Sequence, residues 1–490
     1  MVTHSKLNIT LIILAYLVIL VFVLWIIYPN TTDTKIQSSD NLVNKFDRSK
    51  ANQALSTQHH YLIKQANYSN PNKNLSSEQL INFAVGRSLF KKLWIAAPTV
   101  TKASDGLGPL YNARSCFMCH ANAGRGKVPD AGKRAVSIFM RLSIPAKTEQ
   151  QKKCLQALRC SVIAEPNYGT QLQNFAVTGI AGEGDLKIDY RAMPVELVGG
   201  EIVNLQQPRY RIEALQYGQL HPEVMMSPRL APALVGMGLL DIISEASILA
   251  YSDPDDDNND GISGKANRVW SQQFKQVSLG RFGYKAGIAS LDEQNQAALV
   301  NDIGLSTPLF SQAVWGNCTE LQTRCRRAPH GDDASQGSLE APQKVTDAIL
   351  FYTQNLHVPK QRQPQNIEVI AGKKLFKQLN CQACHREFYP LKQGEIHPYS
   401  DLLLHDMGEG LADQRPEGLA NGQEWRTTPL WGIGLTESVN KHNYYLHDGR
   451  ARTLQEAILW HGGEAQVAKD HYTKLPKLER DKLLRFLQSL

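Results

Sequence analysis

The sequence is poor in long apolar runs and in cysteine, and no dense cluster of basic residues occurs in it. A mean hydropathy of −0.32 excludes a protein with many membrane spans. The 53 basic and 46 acidic residues are spread along 490 positions without interleaved aromatic residues, so we expect no nucleic-acid binding. With 42% hydrophobic and 20% charged residues, the composition also excludes a disordered, collagen-like or coiled-coil chain.

One apolar run, from Ile9 to Ile27, stands near the N terminus. Its length roughly matches a hydrocarbon layer of about 30 Å, and neither a small-x-small cleavage site nor a lipid-accepting cysteine follows it. We expect residues 1–28 to anchor the chain on the periplasmic side of the bacterial inner membrane. A cleaved signal segment, which would leave a periplasmic protein, is the alternative. A polar tether is predicted over 29–77.

Four of the eight cysteines belong to two Cys-x-x-Cys-His motifs. Two thiols spaced by one helical turn can form thioethers to both vinyl groups of a haem, and the adjacent histidine can ligate the iron. A zinc site would need thiol pairs from opposite ends of the chain, and a redox-active dithiol would need a βαβ setting. We therefore predict two covalently bound haem c groups. Their binding residues are Cys116, Cys119, His120, Cys381, Cys384 and His385.

The other four cysteines form two close pairs in the sequence, Cys154 with Cys160 and Cys318 with Cys325. In an oxidising compartment these pairs predict two local disulfides that close loops. Four cysteines allow three pairings, and the sequence alone does not choose among them. A redox switch is the functional alternative to structural disulfides.

The sequence around each haem motif is repeated. Residues 86–93 match residues 372–379 at five of eight positions, and an Arg-x-x-Pro segment follows each motif. This duplication predicts a mainly α protein with two cytochrome-c-like haem domains, over 78–362 and 363–490. The first copy carries an insertion at about 135–220, whose glycine-punctuated, strand-like stretches predict a β-rich region.

An acidic loop lies at 253–267, in the first half of the chain. Asp256, Asn258 and Asp260, followed by Gly261, have the spacing of an EF-hand calcium loop. Position twelve holds Asn267 instead of the usual bidentate glutamate. We predict a Ca²⁺ site here, with a solvated acidic turn as the alternative.

Several long segments resemble the bacterial di-haem oxidoreductase family, a family named for peroxidase activity. They include DLLLHDMGEG at 401–410, EWRTTPLWGIGL at 424–435, His447-Asp-Gly-Arg450 and Asp105-Gly-Leu-Gly-Pro109. The resemblance covers about Glu78 to Leu490. More distantly, the chain is similar to di-haem cytochrome c peroxidases and to the di-haem enzymes that mature methylamine dehydrogenase.

This resemblance implies a second axial ligand for the C-terminal haem. In those relatives the distal ligand follows the histidine of a His-x-Gly turn by fourteen residues, and here that position holds His461. We expect His385 and His461 to ligate the second iron; Met407 is the alternative ligand, and a helix-end role is the structural alternative for His461. No family ligand transfers to the first haem, for which His221, Met225 and Met226 are candidates, each with a structural alternative.

The resemblance also implies an acid/base group for the cleavage of the O–O bond. Glu183 and Glu245 are the candidate carboxylates, with surface or capping roles as alternatives. Arg229 is a candidate for stabilising developing negative charge, with a structural ion pair as its alternative.

We therefore expect an exported di-haem c-type oxidoreductase of the cytochrome c peroxidase type, which reduces peroxide or oxidises a protein partner. Two haems suit two-electron chemistry, because each iron can hold one oxidising equivalent. A non-catalytic electron carrier is the alternative. The expected partners are an electron-donor or electron-acceptor protein, either a cytochrome or quinol-linked. The resemblance implies an imelysin-type iron-uptake protein as a further partner, and the predicted N-terminal helix implies contact with the membrane.

Overall fold

Short helices and strands alternate along the chain in a computed structural model, which describes residues 67–130, 132–332, 338–392 and 394–490. The α-helices are α1 (Ser77–Lys91), α2 (Cys116–Cys119), α3 (Glu149–Gln156), α4 (Met237–Asp241), α5 (Glu245–Leu249), α6 (Leu291–Ala298), α7 (Gln343–Gln354), α8 (Ile367–Gln378), α9 (Thr436–Asn440), α10 (Leu454–Leu459), α11 (Gln466–Lys474) and α12 (Lys477–Ser489). The strands are β1 (Ile95–Ala96), β2 (Asp105–Leu107), β3 (Leu110–Tyr111), β4 (Ile138–Ser143), β5 (Phe175–Ala176), β6 (Asp185–Leu197), β7 (Glu201–Glu213), β8 (Met225–Leu230), β9 (Arg268–Ser271), β10 (Gln276–Leu279), β11 (Tyr389–Pro390), β12 (Glu395–Ile396), β13 (Leu404–Asp406) and β14 (Glu424–Arg426).

The longest strands form a hairpin inside the predicted insertion. β6 and β7 pair antiparallel over thirteen residues each, with Asp185 opposite Glu213 and Leu197 opposite Glu201. The turn contains Gly199 and Gly200, both at positive φ, a conformation that glycine adopts without strain. The strands predicted in this region are therefore confirmed.

The prediction of a mainly α fold is wrong. The described structure is 30% helical and 19% strand, and its strands form seven two-stranded sheets. β4 pairs with β8, so that Ile138 lies opposite Leu230 across the whole insertion. Sequence periodicity missed these strands because most of them are only two to six residues long and pair with distant segments.

The prediction of an N-terminal membrane helix, and of a membrane-anchored localisation drawn from it, is also wrong. Within the part of the chain that the structure describes, no helix is long and apolar enough to cross a membrane. The longest of these helices, α1, has 15 residues and would extend about 22 Å, short of a hydrocarbon layer of about 30 Å. The predicted segment Ile9–Ile27 lies outside the described residues.

The duplicated sequence corresponds to a duplicated helix pair. α1, before the first haem motif, packs against α7, and α8, before the second motif, packs against α12. A Cβ atom at Gly86 would lie 2.0 Å from the carbonyl oxygen of Ala348, and a Cβ atom at Gly372 would lie 2.1 Å from that of Lys482. Glycine at both positions lets the two backbones of each pair meet, and this close approach explains part of the repeated sequence.

Two disulfides close short loops, between Cys154 and Cys160 and between Cys318 and Cys325. These are the pairings that the sequence spacing favoured. All described residues lie in one compact unit, Ile63–Leu490. The predicted boundary between the two haem domains stays a prediction.

Candidate functional site

The first Cys-x-x-Cys-His motif opens into a largely apolar cavity, which we name the N-cavity and define by Cys116, Cys119 and His120. The two cysteines begin and end helix α2, and His120 follows directly. The Nδ1–H of His120 donates to the carbonyl oxygen of Pro232 at 2.8 Å, within the Arg-x-x-Pro segment. This hydrogen bond fixes the imidazole and leaves Nε2 as its coordinating nitrogen.

The second motif lines a separate cavity, which we name the C-cavity and define by Cys381, Cys384 and His385. The Nδ1–H of His385 donates to the carbonyl oxygen of Tyr399 at 2.9 Å, so this imidazole is oriented in the same way as His120. Burial lowers the pKa of each histidine to about 4. Both imidazoles are therefore neutral at pH 7, which is the form that binds a metal ion.

The residues present in both cavities fit a haem. Each cavity has, in a largely apolar wall, the two free thiols and the neutral imidazole of its Cys-x-x-Cys-His motif. Burial raises the pKa of Cys116 and Cys381 to about 12, so these thiols are not poised as redox-active thiolates. Because the two thiol pairs line different cavities, they do not fit a single four-cysteine zinc site.

The structure places the predicted second ligand, His461, in the wall of the C-cavity together with His385. His461 follows the end of α10, and its Nδ1–H donates to the carbonyl oxygen of Ala457 at 2.7 Å. Burial lowers the pKa of His461. Met407, the alternative ligand, lines the same cavity. The choice between them stays a prediction, and the orientation of His461 favours the imidazole.

Charged side chains line part of the N-cavity wall: Arg141, Arg229, Asp302 and Glu417. Arg229 lies 3.4 Å from Glu417, which also pairs with Arg415 at 2.8 Å. Burial would raise the pKa of Glu417, but the surrounding arginines outweigh it and lower that pKa to about 2. Glu417 is therefore an anion throughout the physiological pH range.

Asp302 has the opposite electrostatic balance. Its side chain accepts a hydrogen bond from Nε2 of Gln171 at 2.8 Å. Burial raises the pKa of Asp302, and Arg141 only partly offsets that effect. Of the two carboxylates in the N-cavity wall, Asp302 is thus the one whose pKa is shifted toward neutral pH.

The two predicted acid/base carboxylates do not line either cavity. Glu183 is buried but is held by the backbone N–H of Gln173 and the side-chain amide of Gln322, both at 2.6 Å. Glu245 lies at the start of α5 and pairs with Arg268 at 2.6 Å on the protein surface. Sequence reasoning missed Asp302 and Glu417, because no local motif marks either residue.

The predicted Arg229 does line the N-cavity, at the end of β8. Its Nε donates to Oγ of Ser227 at 2.8 Å, and its guanidinium lies 3.4 Å from both Asp413 and Glu417. Arg229 therefore forms the structural ion pairs that were the alternative to a catalytic role, and it also lines the N-cavity.

The sequence candidates for a distal ligand of the first haem are absent from the N-cavity wall. His221, Met225 and Met226 do not belong to its lining residues. Among the described residues, His120 is the single imidazole and Met237 the single thioether that line this cavity. The two cavities thus differ in the number of described imidazoles that line them.

The acidic loop is folded by its own side chains. Asp256 and Asn258 accept hydrogen bonds from the backbone N–H of Asp260, at 3.0 and 2.8 Å, and Asp260 accepts from Ile262 at 2.9 Å. Asn267, at position twelve, is buried and donates its side-chain amide to Lys285 and Glu417. The calcium site stays a prediction that these contacts do not strengthen.

A buried ion cluster that the sequence did not reveal lies beside the C-cavity. His405 is only 2% exposed; its Nε2 lies 2.8 Å from Asp401 and its Nδ1 lies 2.6 Å from Glu464. Burial disfavours the imidazolium, but Asp401 outweighs this and raises the pKa of His405 well above its ordinary value. His405 is therefore a cation at neutral pH and contacts Cys384, with Nδ1 at 3.6 Å from Sγ.

Comparison with known proteins gives one family and one solved structure. The family model described as "Di-haem oxidoreductase, putative peroxidase" matches residues 57–490. No curated protein shows a significant match to the sequence. A chain of Kuenenia stuttgartiensis hydrazine synthase, from a crystal pressurized with xenon, matches at 16% identity with a TM-score of 0.24, covering 58% of this chain and 100% of its own.

The family match spans both haem motifs, both cavities and the segments on which the resemblance was based. The expected cofactor class is therefore established as haem, and the expected activity class as oxidoreductase. This chain belongs to the di-haem oxidoreductase family.

Proposed function

We propose that this di-haem oxidoreductase reduces hydrogen peroxide in the N-cavity with electrons that arrive through the C-cavity. The observation that carries the proposal is the asymmetry between the two cavities. Among the described residues, His120 is the one imidazole that lines the N-cavity, where Arg229, Asp302 and Glu417 lie in the same wall, whereas four histidines line the C-cavity, His385 and His461 among them. An open iron position beside charged groups suits bond cleavage, and two imidazole ligands suit electron transfer.

The proposal includes covalent attachment of both haems. Cys116 and Cys119 would hold the first haem and Cys381 and Cys384 the second, with His120 and His385 as proximal ligands. The other four cysteines are paired in disulfides, so each haem motif keeps both of its thiols. Disulfides and haem attachment to cysteine both belong to compartments outside the cytoplasm, which supports export of the chain.

When bound, the haems supply the electrons. The overall reaction takes one H₂O₂, two electrons and two protons to two molecules of water. The electrons come from a one-electron donor protein, either a small cytochrome or a quinol-linked protein. The association with imelysin-type proteins stays a prediction.

The charged wall of the N-cavity would handle the protons. Asp302, with its raised pKa, would accept the first proton of hydrogen peroxide and return it to the departing oxygen. Glu417 would remain ionised and hold Arg229 in place, so that its guanidinium can stabilise negative charge on the departing oxygen. In this proposal Asp302 transfers the proton, and Glu417 holds the arginine that stabilises charge.

One observation favours the electron-carrier alternative. Met237 lies in the N-cavity wall, and a thioether can complete a His/Met ligand set as in small cytochromes c. With Met237 on the first iron both haems would be six-coordinate, and peroxide would find no open position.

The proposal is tested on the full chain produced with a c-type cytochrome maturation system. Mass spectrometry after denaturation should show two covalently attached haems. We then mix the half-reduced protein with stoichiometric hydrogen peroxide in a stopped-flow spectrometer. The protein should consume the peroxide and lose its ferrous absorption bands within seconds. Two covalent haems without any reaction would reject peroxide reduction in favour of electron transfer.

A further inference from the structure

Arg125 lines both cavities, and no ion pair joins it to an acidic side chain among the described residues. The residues that line both the N-cavity and the C-cavity are Arg125, Tyr284, Arg426, Thr428 and Ile433. Arg125 is 9% exposed, and its Nη1 has no hydrogen-bond partner among the residues that the structure describes. An unsatisfied donor on a buried cation is costly, and this cost points to an anion that the two cavities normally contain.

Two neighbouring arginines, Arg229 and Arg426, are satisfied by the protein itself. Arg229 pairs with Asp413 and Glu417, and Arg426 donates to two backbone carbonyl oxygens. Arg125 instead influences the pKa values of three neutral phenols, those of Tyr68, Tyr284 and Tyr445. The charge of Arg125 is therefore available to a ligand, whereas the charges of Arg229 and Arg426 are already used.

The backbone fixes Arg125 at this position. A Cβ atom at Gly124 would lie 2.0 Å from Nδ2 of Asn440, and a Cβ atom at Gly126 would lie 2.6 Å from the carbonyl oxygen of Ser137. Asn440 also donates to the carbonyl oxygen of Arg125 at 3.2 Å. The loop is thus packed against both repeats, which fixes the backbone from which the Arg125 side chain extends.

We infer that Arg125 is a shared anion site, binding carboxylate side chains of the prosthetic groups in both cavities. The inference rests on the proposed pair of haems. Each haem carries two propionates, and a guanidinium can bind carboxylates with its planar array of N–H groups. A cation shared in this way would raise the reduction potentials of both haems, because it stabilises the less positively charged reduced state of each.

The test measures the two midpoint potentials of the holoprotein by spectroelectrochemistry, for the parent and for Arg125→Gln. We expect both potentials to shift in the negative direction. Lys127→Gln is the matched control: it removes one positive charge two residues away, from a half-exposed side chain paired with Asp130, and should shift both potentials less. A shift confined to one haem, or equal shifts in the two variants, would overturn the shared site.

Arg125→Lys is the second variant, because it keeps the charge while removing the planar array of donors. The propionate-bending bands in its resonance Raman spectrum should change for both haems, and unchanged bands would overturn the inference even if Arg125→Gln does not retain its haems. A parent protein with fewer than two haems would refute the proposed function together with this inference. Two haems with unchanged potentials in Arg125→Gln would refute this inference alone.

Discussion

His385 and His461 line one cavity, and each imidazole is tied by Nδ1 to a backbone carbonyl oxygen, that of Tyr399 at 2.9 Å and that of Ala457 at 2.7 Å. Both rings therefore keep Nε2 as the coordinating nitrogen. We expect His461→Ala to convert the second haem from low spin to high spin, or to a form that binds added imidazole. Absorption and electron paramagnetic resonance spectra of the purified holoprotein measure the change.

His471→Ala is the control for that prediction, because His471 is exposed on α11 and does not line the C-cavity. Its spectrum should equal that of the parent. A low-spin spectrum retained in His461→Ala would transfer the ligand role to Met407, which Met407→Leu would then test.

The residues proposed to bind the haems could be picked out from the sequence because each set is contiguous. Cys116, Cys119 and His120 lie on one helical turn, so their spacing alone specifies the chemistry. Asp302 and Glu417 stand 115 positions apart and meet only through tertiary packing, so no local pattern marks them. Glu183 shows the converse error: it is a buried carboxylate whose partners, two glutamine residues, make it structural.

The strand pairing was unpredictable for the same physical reason. The ladder between β4 and β8 joins a segment near the start of the predicted insertion to one just after its end, and strand register depends on which distant segment supplies the partner. The hairpin of β6 and β7 is local, and alternating residues around paired glycines were enough to predict it.

The buried cation His405 predicts a pH-dependent stability. Its folded-state pKa is raised above the ordinary value of 6.5, so its stabilising contribution is complete below about pH 6.5 and is lost as the pH rises through the folded-state value. We expect His405→Asn to lower the free energy of unfolding by about 3–5 kcal/mol at pH 6, because Asp401 and Glu464 lose their shared partner. Denaturant titrations from pH 6 upward measure the difference between variant and parent, which should shrink as the pH increases.

A pH-independent difference between His405→Asn and the parent would show that His405 is not protonated in the folded state. Asp470→Asn provides a control for the general effect of pH, because Asp470 lies on α11 and its carboxylate accepts an exposed hydrogen bond from the side chain of Gln466. Its difference from the parent should stay near zero.

The charged wall of the N-cavity predicts which carboxylate limits peroxide reduction. Asp302→Asn should lower the rate constant for peroxide consumption by about 10²–10⁴-fold, the usual contribution of a positioned acid/base group. In the parent the rate should fall as the pH drops through the raised pKa of Asp302, since the ionised form accepts the first proton. Stopped-flow rates measured across the pH range should show this limb, and Asp302→Asn should lack it.

Glu245→Gln is the control for Asp302→Asn, because Glu245 pairs with Arg268 on the surface and lines neither cavity. Its rate should match that of the parent at every pH. An unchanged rate in Asp302→Asn, with both haems retained, would remove Asp302 from the proposed proton transfer.

Met237 distinguishes the proposed enzyme from an electron carrier. If the first haem has an open position, Met237→Leu should leave the spectrum of that haem unchanged and should lower the free energy of unfolding by less than about 1.5 kcal/mol, as expected for a swap that conserves volume. Cyanide titration of the ferric protein gives the second readout, because an open iron binds the anion equally well in parent and variant. Loss of a thioether-to-iron absorption band in Met237→Leu, together with newly gained cyanide binding, would show that the parent haem is closed. The chain would then be an electron carrier, and the arginines and carboxylates of the N-cavity would serve the stability of the fold instead of the chemistry of peroxide.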